Sequence, residues 1–219
     1  MAEVQIRDIL VGHGNLYAAP YDTPLPDFTA TGTETNLRLE QYFDDEADWN
    51  FMGATQEGVE LAYAPEYGEV EVDQLGDAAV MFFERSSVTM NTQLAEATLE
   101  NLLIAWGFED EYVQQVATEE VTQFSLGVHG SDPTERSVAV VGKGAAGTTG
   151  QRRDRVYHGR RVLSVEGSSL ALRRSENTAY PVSFRLLADP QYTNSEYGVI
   201  IDRIPGDTTA NPDADPFAE

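Results

Sequence analysis

The sequence predicts a mainly β protein with one flanking α-helix. Val70 and Val72 alternate with acidic residues, which is the period of a strand that buries one face. Between residues 94 and 106, apolar residues recur at intervals of three and four, which is typical of an amphipathic helix. The 219 residues can form one sizeable core, and no repeat or linker divides them. We therefore predict one domain over residues 1–205 and a disordered tail, rich in Asp and Pro, over 206–219.

The N-terminal part predicts few regular elements. Residues 4–11 alternate imperfectly and predict a strand that ends at residues 12–14. Three prolines between residues 20 and 26 predict an irregular connection, because proline lacks the backbone N–H that sheets and helices use. Residues 33–39 are a candidate strand, and the acidic residues 42–49 predict a loop.

The central part predicts three strands followed by the helix. Strands are expected over residues 56–64, 69–74 and 78–91, and the apolar positions of the third include Val80, Phe82, Val88 and Met90. Asn91 or Thr92 can cap the start of the helix at residues 94–106, and Gly107 can end it. The predicted apolar face of this helix carries Ala95, Leu99, Leu102, Leu103 and Trp106.

The C-terminal part again predicts strands. Residues 109–118 fit a short helix or a loop equally well. Beyond them, alternating or β-branched runs predict strands over residues 120–128, 136–142, 154–166, 169–173, 181–188 and 197–203.

Composition excludes several classes of protein. The chain has no cysteine, so disulfides and thiolate metal sites are excluded. It has neither an apolar run of membrane-spanning length nor the basic and apolar segments of a signal peptide, so we expect a soluble protein of a cytosol, without a membrane partner. The formal net charge is -23, from 37 acidic and 14 basic residues, and nearly all of the excess lies in residues 1–130. Such a field repels phosphate, which argues against tight nucleic-acid binding.

The basic residues are almost all arginine, with Lys143 the single lysine. This bias has two explanations that the sequence leaves open. Arginine codons accumulate in GC-rich genomes. An acidic, lysine-poor surface is also typical of halophilic proteins, in which molar salt screens self-repulsion over a Debye length of about 3 Å.

The glycines of Gly142-x-Gly144-x-x-Gly147 follow a strand-like run, as they do in a dinucleotide-binding fold. That fold needs a helix to begin at the glycines, because the pyrophosphate binds at the helix N-terminus. The residues that follow, Thr-Thr-Gly-Gln and then a charged strand, do not form one. We interpret the segment as a glycine-rich hairpin and expect no cofactor.

Other motifs of catalysis or metal binding are weak. Asp44, Glu46 and Asp48 have the alternate spacing of a calcium loop, but the sixth position is Trp49 instead of glycine and the twelfth is Thr55 instead of glutamate. The three histidines are far apart in sequence, and no Gly-x-Ser-x-Gly elbow occurs. We therefore expect neither a metal site nor an enzyme.

One basic cluster stands out against the acidic background. It can form a phosphate-binding patch, a solvated face, or a surface complementary to the acidic first half of a neighbouring subunit, and we favour the last. The cluster consists of Arg152, Arg153, Arg155, Arg160 and Arg161.

Three segments together resemble the major tail tube proteins of long-tailed, siphovirus-type phages and viruses. The likeness is closest where Val-Asp-Gln-x-Gly (residues 72–76) precedes Leu-Ala-Glu-Ala-Thr-Leu-Glu-Asn-Leu (residues 94–102). Residues 54–67, ATQEGVELAYAPEY, are similar to the strand and loop that precede this unit in the family. Residues 42–49, YFDDEADW, are similar to the acidic, tryptophan-ended loop of lambda-type tube proteins.

The resemblance implies a β-sandwich or partial barrel with a flanking helix. It implies hexameric rings that stack into a hollow tube, with strands of each subunit joining a ring-wide closed sheet and long loops reaching the adjacent ring. It places the protein in the virion tail, after synthesis in the host cytoplasm, with other copies of itself and the tape measure, terminator and baseplate proteins as partners. Viral DNA would pass through the lumen without adhering, and an acidic wall would favour that passage. The alternatives are a capsid decoration protein, a soluble binding module or, less well supported, a halophilic hydrolase.

Residue roles follow from this expectation. The strand pattern puts four carboxylates opposite apolar positions, and they are candidates for the lumen wall, although that face can also look outward to solvent: Glu60, Glu69, Glu71 and Asp73. Candidates for contacts between subunits or rings are the basic cluster and the acidic loop residues Asp44, Asp45, Glu46, Asp48 and Trp49.

Overall fold

A computed structural model describes most of the chain, and one large antiparallel sheet dominates it. A mainly β fold is thereby confirmed, but the sheet is not closed into a barrel. The described residues are 14–28, 39–44, 48–71, 78–96, 98–108, 113–116, 121–124, 134–145, 153–164 and 179–204.

Ten strands and two short helices make up the described part of the fold. The strands are β1 (Asn15–Pro20), β2 (Asn50–Phe51), β3 (Thr55–Glu71), β4 (Ala78–Leu94), β5 (Val113–Val116), β6 (Val121–Phe124), β7 (Arg136–Gly144), β8 (Arg153–Ser164), β9 (Tyr180–Leu186) and β10 (Gly198–Arg203). The helices are α1 (Leu39–Asp44) and α2 (Leu99–Trp106).

The large sheet divides at β8. Its strand order is β2-β1-β7-β8-β9-β4-β3, and β10 also pairs with β8. β10 occupies the edge of β8 along Asp154–Gly159, whereas β9 occupies the same edge along Val162–Ser164. Along this edge of β8 the sheet therefore has two branches. β10 alone forms the branch next to Asp154–Gly159, and the layer β9-β4-β3 forms the branch next to Val162–Ser164. The strands β5 and β6 form a separate two-stranded hairpin.

One helix packs against part of each face of the sheet. On the face that we call the α2 face, Leu16, Val138 and Phe184 form a core with Ile104 and Ala105 of α2. On the opposite face, the α1 face, residues of β1, β7 and β8 form a second core with α1 and the 48–49 segment, namely Tyr17, Ala139, Val156, Leu39, Phe43 and Trp49. The α1-face core uses β1, β7, β8 and β10, so it stops short of the β9-β4-β3 branch.

The helix α2 begins later than the sequence predicts. Residues 91–94 still belong to β4, because they pair with both β3 and β9. Thr98 is the cap instead of Asn91 or Thr92, and its hydroxyl accepts a hydrogen bond from the Asn101 N–H at 3.1 Å. Gly107 ends the helix in the left-handed conformation (φ 73°), which confirms that prediction.

The later start changes the buried face of α2. Leu103, Ile104 and Ala105 are buried, whereas Leu99 is half-buried and Ala95 lies outside the helix. The side-chain amide of the buried Asn101 donates to the carbonyl of Met52 at 2.9 Å, which ties the helix to the segment after β2. The predicted face was therefore only partly correct.

The N-terminal half departs most from the sequence prediction. β1 forms at residues 15–20, where an irregular connection was expected, and its proline is the last residue, where a missing N–H costs little. α1 takes up residues 39–44, at the end of the candidate strand and in the expected acidic loop. The predicted strands 56–64 and 69–74 are one strand, β3, at least as far as Glu71. β5 forms where a helix or a loop was expected.

Most of the C-terminal strands are confirmed. β6, β7, β8, β9 and β10 each overlap the strand predicted there. β7 continues through Gly142 and Gly144 and pairs antiparallel with β8, so the glycine-rich segment belongs to a hairpin, as interpreted. Several predictions lie outside the described residues, namely the strands at 4–11 and 169–173, most of the candidate strand 33–39, and the tail 206–219.

Leu103→Asp should unfold the subunit, because the Leu103 side chain of α2 is fully buried. An unpaired buried charge costs several kcal/mol, against about 5–15 kcal/mol of total stability for a domain. Leu99→Asp on the half-buried side of the same helix is the matched control and should cost less than half as much free energy of unfolding. Thermal or urea unfolding of both variants measures the difference, and equal losses would contradict this description of the helix face.

His158 gives the fold a pH dependence. Its ring packs edge-on against Trp49 at 5.9 Å between centroids, and neither ring nitrogen has a hydrogen-bond partner in the described part of the structure. Burial, and secondarily the charge of Arg160, lowers the pKa of His158 from 6.5 to about 3. His158 therefore takes up a proton near pH 6.5 in the unfolded chain but only near pH 3 in the folded chain.

The contribution of His158 to the free energy of unfolding should accordingly be fully present above pH 6.5. On acidification below that pH it should fall by about 1.4 kcal/mol per pH unit. His158→Leu should flatten the pH dependence between pH 7 and 5 by about 2 kcal/mol, whatever it does to absolute stability. Urea unfolding at a series of pH values measures the slope. An identical slope in the variant would show that His158 does not titrate in this way.

Candidate assembly interface

The strands β3 and β4 extend far beyond the rest of the sheet. β4 pairs with β9 only between Val88 and Leu94, yet it pairs with β3 from Leu94 back to Ala78. We call the projecting part the arm, residues 64–71 of β3 and 78–87 of β4. Eight strand residues span about 26 Å, so the arm is longer than an ordinary strand.

Both backbone edges of the arm lack a partner strand in the described part of the chain. A long strand edge presents unpaired N–H and C=O groups that can template pairing with another chain. Natural proteins protect such edges with short strands, charges or covering elements. The arm therefore carries the two edges of this fold that are best suited to pairing with other chains.

Large apolar side chains are exposed on the arm. Of the ten exposed large hydrophobic residues among those described, six lie on the arm and two at its base. They occupy both faces, because residues paired directly across an antiparallel ladder share a face. The α2 side carries Tyr67, Met81 and Phe83, and the α1 side carries Val70, Val80 and Phe82.

A β-bulge divides the arm. The ladder pairs Glu66 with Arg85 and then Tyr67 with Phe83, so Glu84 is the extra residue on β4. Bulges bend a strand and increase its twist. We call residues 67–71 and 78–83, beyond the bulge, the arm tip. The Arg85 guanidinium donates to the Glu66 carboxylate at 2.6 Å, but both side chains are well exposed, so this pair contributes little to stability.

The β9-β4-β3 branch exposes a hydrophilic surface on its α1 side. We call it the polar face. Ser183 Oγ donates to Asn91 Oδ1 there at 2.8 Å. Small, hydroxyl and amide side chains predominate on it, together with a few charged ones: Glu60, Ala62, Ala64, Ser87, Thr89, Asn91, Ser183 and Arg185.

The structure separates the four candidate wall carboxylates. Glu60 is exposed on the polar face. Glu69 is also exposed but lies nine residues along the same strand, which places it on the α2 side with Met81. Glu71 is the last residue of β3, and Asp73 lies outside the described residues.

The acidic loop is tied into the subunit by its tryptophan. Trp49 is buried, its indole N–H donates to the Pro24 carbonyl at 3.0 Å, and its ring packs edge-on against Phe43. Asp44, at the end of α1, accepts a hydrogen bond from the Tyr17 hydroxyl; burial first, and then this carboxylate, raises the pKa of Tyr17. Asp48 is exposed, and Asp45 and Glu46 lie outside the described residues.

Three of the five clustered arginines are engaged within the chain. Arg155 donates twice to Asp202, at 2.5 and 2.7 Å, and this pairing lowers the pKa of Asp202 and raises that of Arg155. Arg161 pairs with Glu135, and Arg160 lies 3.6 Å over the ring of Tyr192. Arg153 is half-buried, and Arg152 lies outside the described residues.

An apolar groove lies on the α2 face, where the arm leaves the sheet. It lies between β10 and the base of β3 and β4, and the hydroxyl of Tyr197, one of its lining residues, accepts a hydrogen bond from the Ser86 hydroxyl at 3.1 Å. Its volume is about 270 Å³, and its described lining carries no charged side chain. Much of the apolar lining comes from Leu61, Tyr63, Val88, Tyr157, Val199 and Ile200.

No group of three or more histidines and carboxylates within the described ranges could hold a metal ion. Neither helix within those ranges is long and apolar enough to cross a membrane.

Comparison with models of known protein families finds no match to this chain, and comparison with curated proteins finds none either.

The exposed arm was not anticipated from the sequence, although a signal was present. Residues 80–83, Val-Met-Phe-Phe, are apolar at four successive positions, a pattern typical of a strand with both faces covered. In the described part of the structure, Val80, Met81, Phe82 and Phe83 are nevertheless all exposed.

Replacing residues 67–84 with Asn-Gly should leave the rest of the subunit folded. Glu66 and Arg85 are direct cross-strand partners, so a two-residue type I′ turn can join them. The large apolar side chains described in the removed stretch are exposed, and we expect the melting temperature to change by no more than about 2 °C, the equivalent of about 0.5 kcal/mol. A loss of cooperative unfolding would show that the arm tip stabilises the subunit.

Proposed function

We propose that this chain is the major tail tube subunit of a long-tailed virus. In this proposal the protein is a virion component that polymerises as stacked hexameric rings into a hollow tube, through which DNA passes during ejection. The observation that carries the proposal is the arm, with free edges and apolar side chains on both faces. The resemblance of residues 42–107 to tail tube proteins supplies the type of assembly.

The free edges favour a closed sheet formed by several subunits. A strand edge of this length, left open, invites uncontrolled pairing and aggregation. Pairing of each β3 edge with the arm of the next subunit, continued around a ring, removes every such edge. A ring-wide sheet thus pairs the strand edges that lack a partner in the described part of the isolated subunit.

The two apolar faces favour a ring or tube over a simple dimer. In a twofold dimer the same patch is used on both subunits, so one face of each arm would be covered and the other would stay in water. A head-to-tail contact uses two different surfaces and repeats until the ring closes. Val80 and Phe82 on one side and Met81 and Phe83 on the other provide such a pair of surfaces.

The polar face is the best candidate for the lumen wall. The α2 face of the same strands is apolar and continuous with the core, so it is unsuited to a water-filled channel. On the polar face the Glu60 carboxylate is offset by the Arg185 guanidinium, and on the same side of the adjoining arm Arg85 pairs with Glu66 and the Glu84 carboxylate lies beside Gly68. The described part of this wall is thus hydrophilic and close to neutral, and Glu69 lies on its other side. We accordingly propose that DNA passes along a polar wall to which it does not adhere. The net negative charge of the chain repels the DNA phosphates at longer range.

Purified protein should form rings or hollow tubes, and more readily at molar salt than at low salt. Every subunit adds a formal charge of -23, whose repulsion is screened over about 3 Å at 1 M salt. Negative-stain microscopy and sedimentation velocity at both salt concentrations measure assembly. The chain with residues 67–84 replaced by Asn-Gly is the control and should stay monomeric. A monomer at every concentration and salt would refute the proposal, and a small closed oligomer without a channel would favour a decoration protein.

Glu60→Lys should slow DNA release from assembled virions, because it adds a phosphate-binding cation to the wall in every subunit. Glu60→Gln removes the charge without adding one and should have a much smaller effect. Glu69→Lys is the matched control on the opposite side of the same strand and should release DNA at the normal rate. Release from virions triggered in vitro gives the rates, and equal rates for Glu60→Lys and Glu69→Lys would show that the polar face does not line the channel.

A further inference from the structure

We propose that the apolar groove on the α2 face binds the arm tip of a second copy of this chain, with Phe82 as the inserted side chain. This inference rests on the proposed function, since it names a contact by which the subunits of the tube hold one another. The juxtaposed surfaces are the groove between β10 and the arm base on one copy, and the α1 side of the arm tip on the next.

The groove is a recess in the core that nothing in the described part of the subunit fills. Val88 and Met90, which line it, are buried and belong to the α2-face core. Ile200 and Tyr63, also in the lining, are 61% and 63% exposed. An apolar floor with exposed apolar walls is typical of a site that another apolar surface covers.

The arm tip has the complementary chemistry. Val70, Val80 and Phe82 form an exposed apolar patch on one side of two paired strands. The Phe82 ring lies against Gly68 of the opposite strand, where an added Cβ atom would come within 2.5 Å of the ring. The absence of a side chain at Gly68 therefore seats the ring against the backbone, and a preorganised aromatic residue binds at lower entropic cost.

A subunit cannot insert its own arm tip into its own groove. Leu61 and Tyr63, on the groove wall, belong to the same pair of strands as the tip. Phe82 lies six residues beyond Val88, about 20 Å along the strand, and on the other side of the ribbon. The occupant must therefore come from another molecule.

The net charge of the chain limits which surfaces of two copies can make contact. Two copies of a chain with a formal net charge of -23 repel each other, so contact is least costly where neither surface carries a carboxylate. The groove lining has no acidic residue, lysine or arginine, and the ring of His158, which also borders it, packs on the α1 face against Trp49. On the arm tip, Val70, Val80 and Phe82 are uncharged, and the Glu84 carboxylate lies at the margin of this patch, beside Gly68. The two surfaces are different, so the contact is head-to-tail and can repeat from subunit to subunit.

The absence of cysteine allows a direct test by disulfide formation. Tagged Phe82→Cys protein and untagged Ile200→Cys protein would be mixed under assembly conditions and oxidised. A disulfide requires Cβ atoms about 3.5–4.5 Å apart, so it reports close approach of the two positions. Phe82→Cys mixed with Ser183→Cys, on the polar face, is the matched control. We expect at least tenfold more mixed dimer from the Ile200 pair than from the Ser183 pair.

Equal yields from the two pairs would overturn the proposal. So would efficient intrachain oxidation of an Ile9→Cys, Ile200→Cys double variant, because residues 1–13 of the same chain would then fill the groove. Microscopy of the same mixtures separates this inference from the proposed function. Tubes without the mixed dimer would refute the groove contact alone, whereas mixed dimer in samples that never form rings would refute the tube alone.

A charge in the groove gives a second measurement. Ile200→Glu should lower the assembled fraction at least tenfold at equal protein concentration, with an unchanged melting temperature of the monomer. Phe51→Glu, at another exposed apolar residue on β2, is the control and should assemble normally. Normal assembly of Ile200→Glu would overturn the proposal.

Discussion

The pairing of β4 with β9 between Val88 and Leu94 is the constraint on which the rest of the structure depends. It fixes the base of the arm to the core, and its end at Val88 leaves the remainder of β4 to pair with β3 alone. The same pairing places Leu186 beside Val88 and Phe184 beside Met90, and Leu186, Val88 and Met90 line the apolar groove. The positions of the arm, the groove and the polar face therefore all depend on this short ladder between β4 and β9.

Charge is distributed so that attraction lies within the subunit and repulsion between subunits. Arg155 and Arg161 are neutralised by Asp202 and Glu135 of the same chain, so the basic cluster contributes to cohesion of β8 with its neighbours. Its expected role toward an adjacent subunit is correspondingly reduced, and it remains a prediction for Arg152 and Arg153. Apolar contacts, which salt strengthens or leaves intact, are then the main candidates for holding copies together.

Local periodicity predicted the strand-rich character, most C-terminal strands and the end of α2 at Gly107. It could not predict the start of α2, because whether residues 91–94 form helix or strand depends on pairing with β9, a strand ninety residues away. It assigned Trp49 to a contact loop because the neighbouring residues are acidic. The hydrogen bond from Trp49 to the distant Pro24 carbonyl depends on the fold and cannot be inferred from that local pattern. The even-numbered Val80, Phe82, Val88 and Met90 look like one strand face, but the extra residue Glu84 moves the first two to the opposite side.

The bulge at Glu84 separates two properties that a flat hairpin would couple. Backbone geometry at the bulge sets the direction in which the tip points, whereas the side chains beyond it set how strongly the tip adheres. Substitutions in the tip can therefore tune the strength of association without redirecting the arm. A change in chain length at residue 84 would instead redirect the arm while its adhesive residues stay the same. Under the proposed function, the curvature of the tube and its cohesion would therefore change through different mutations.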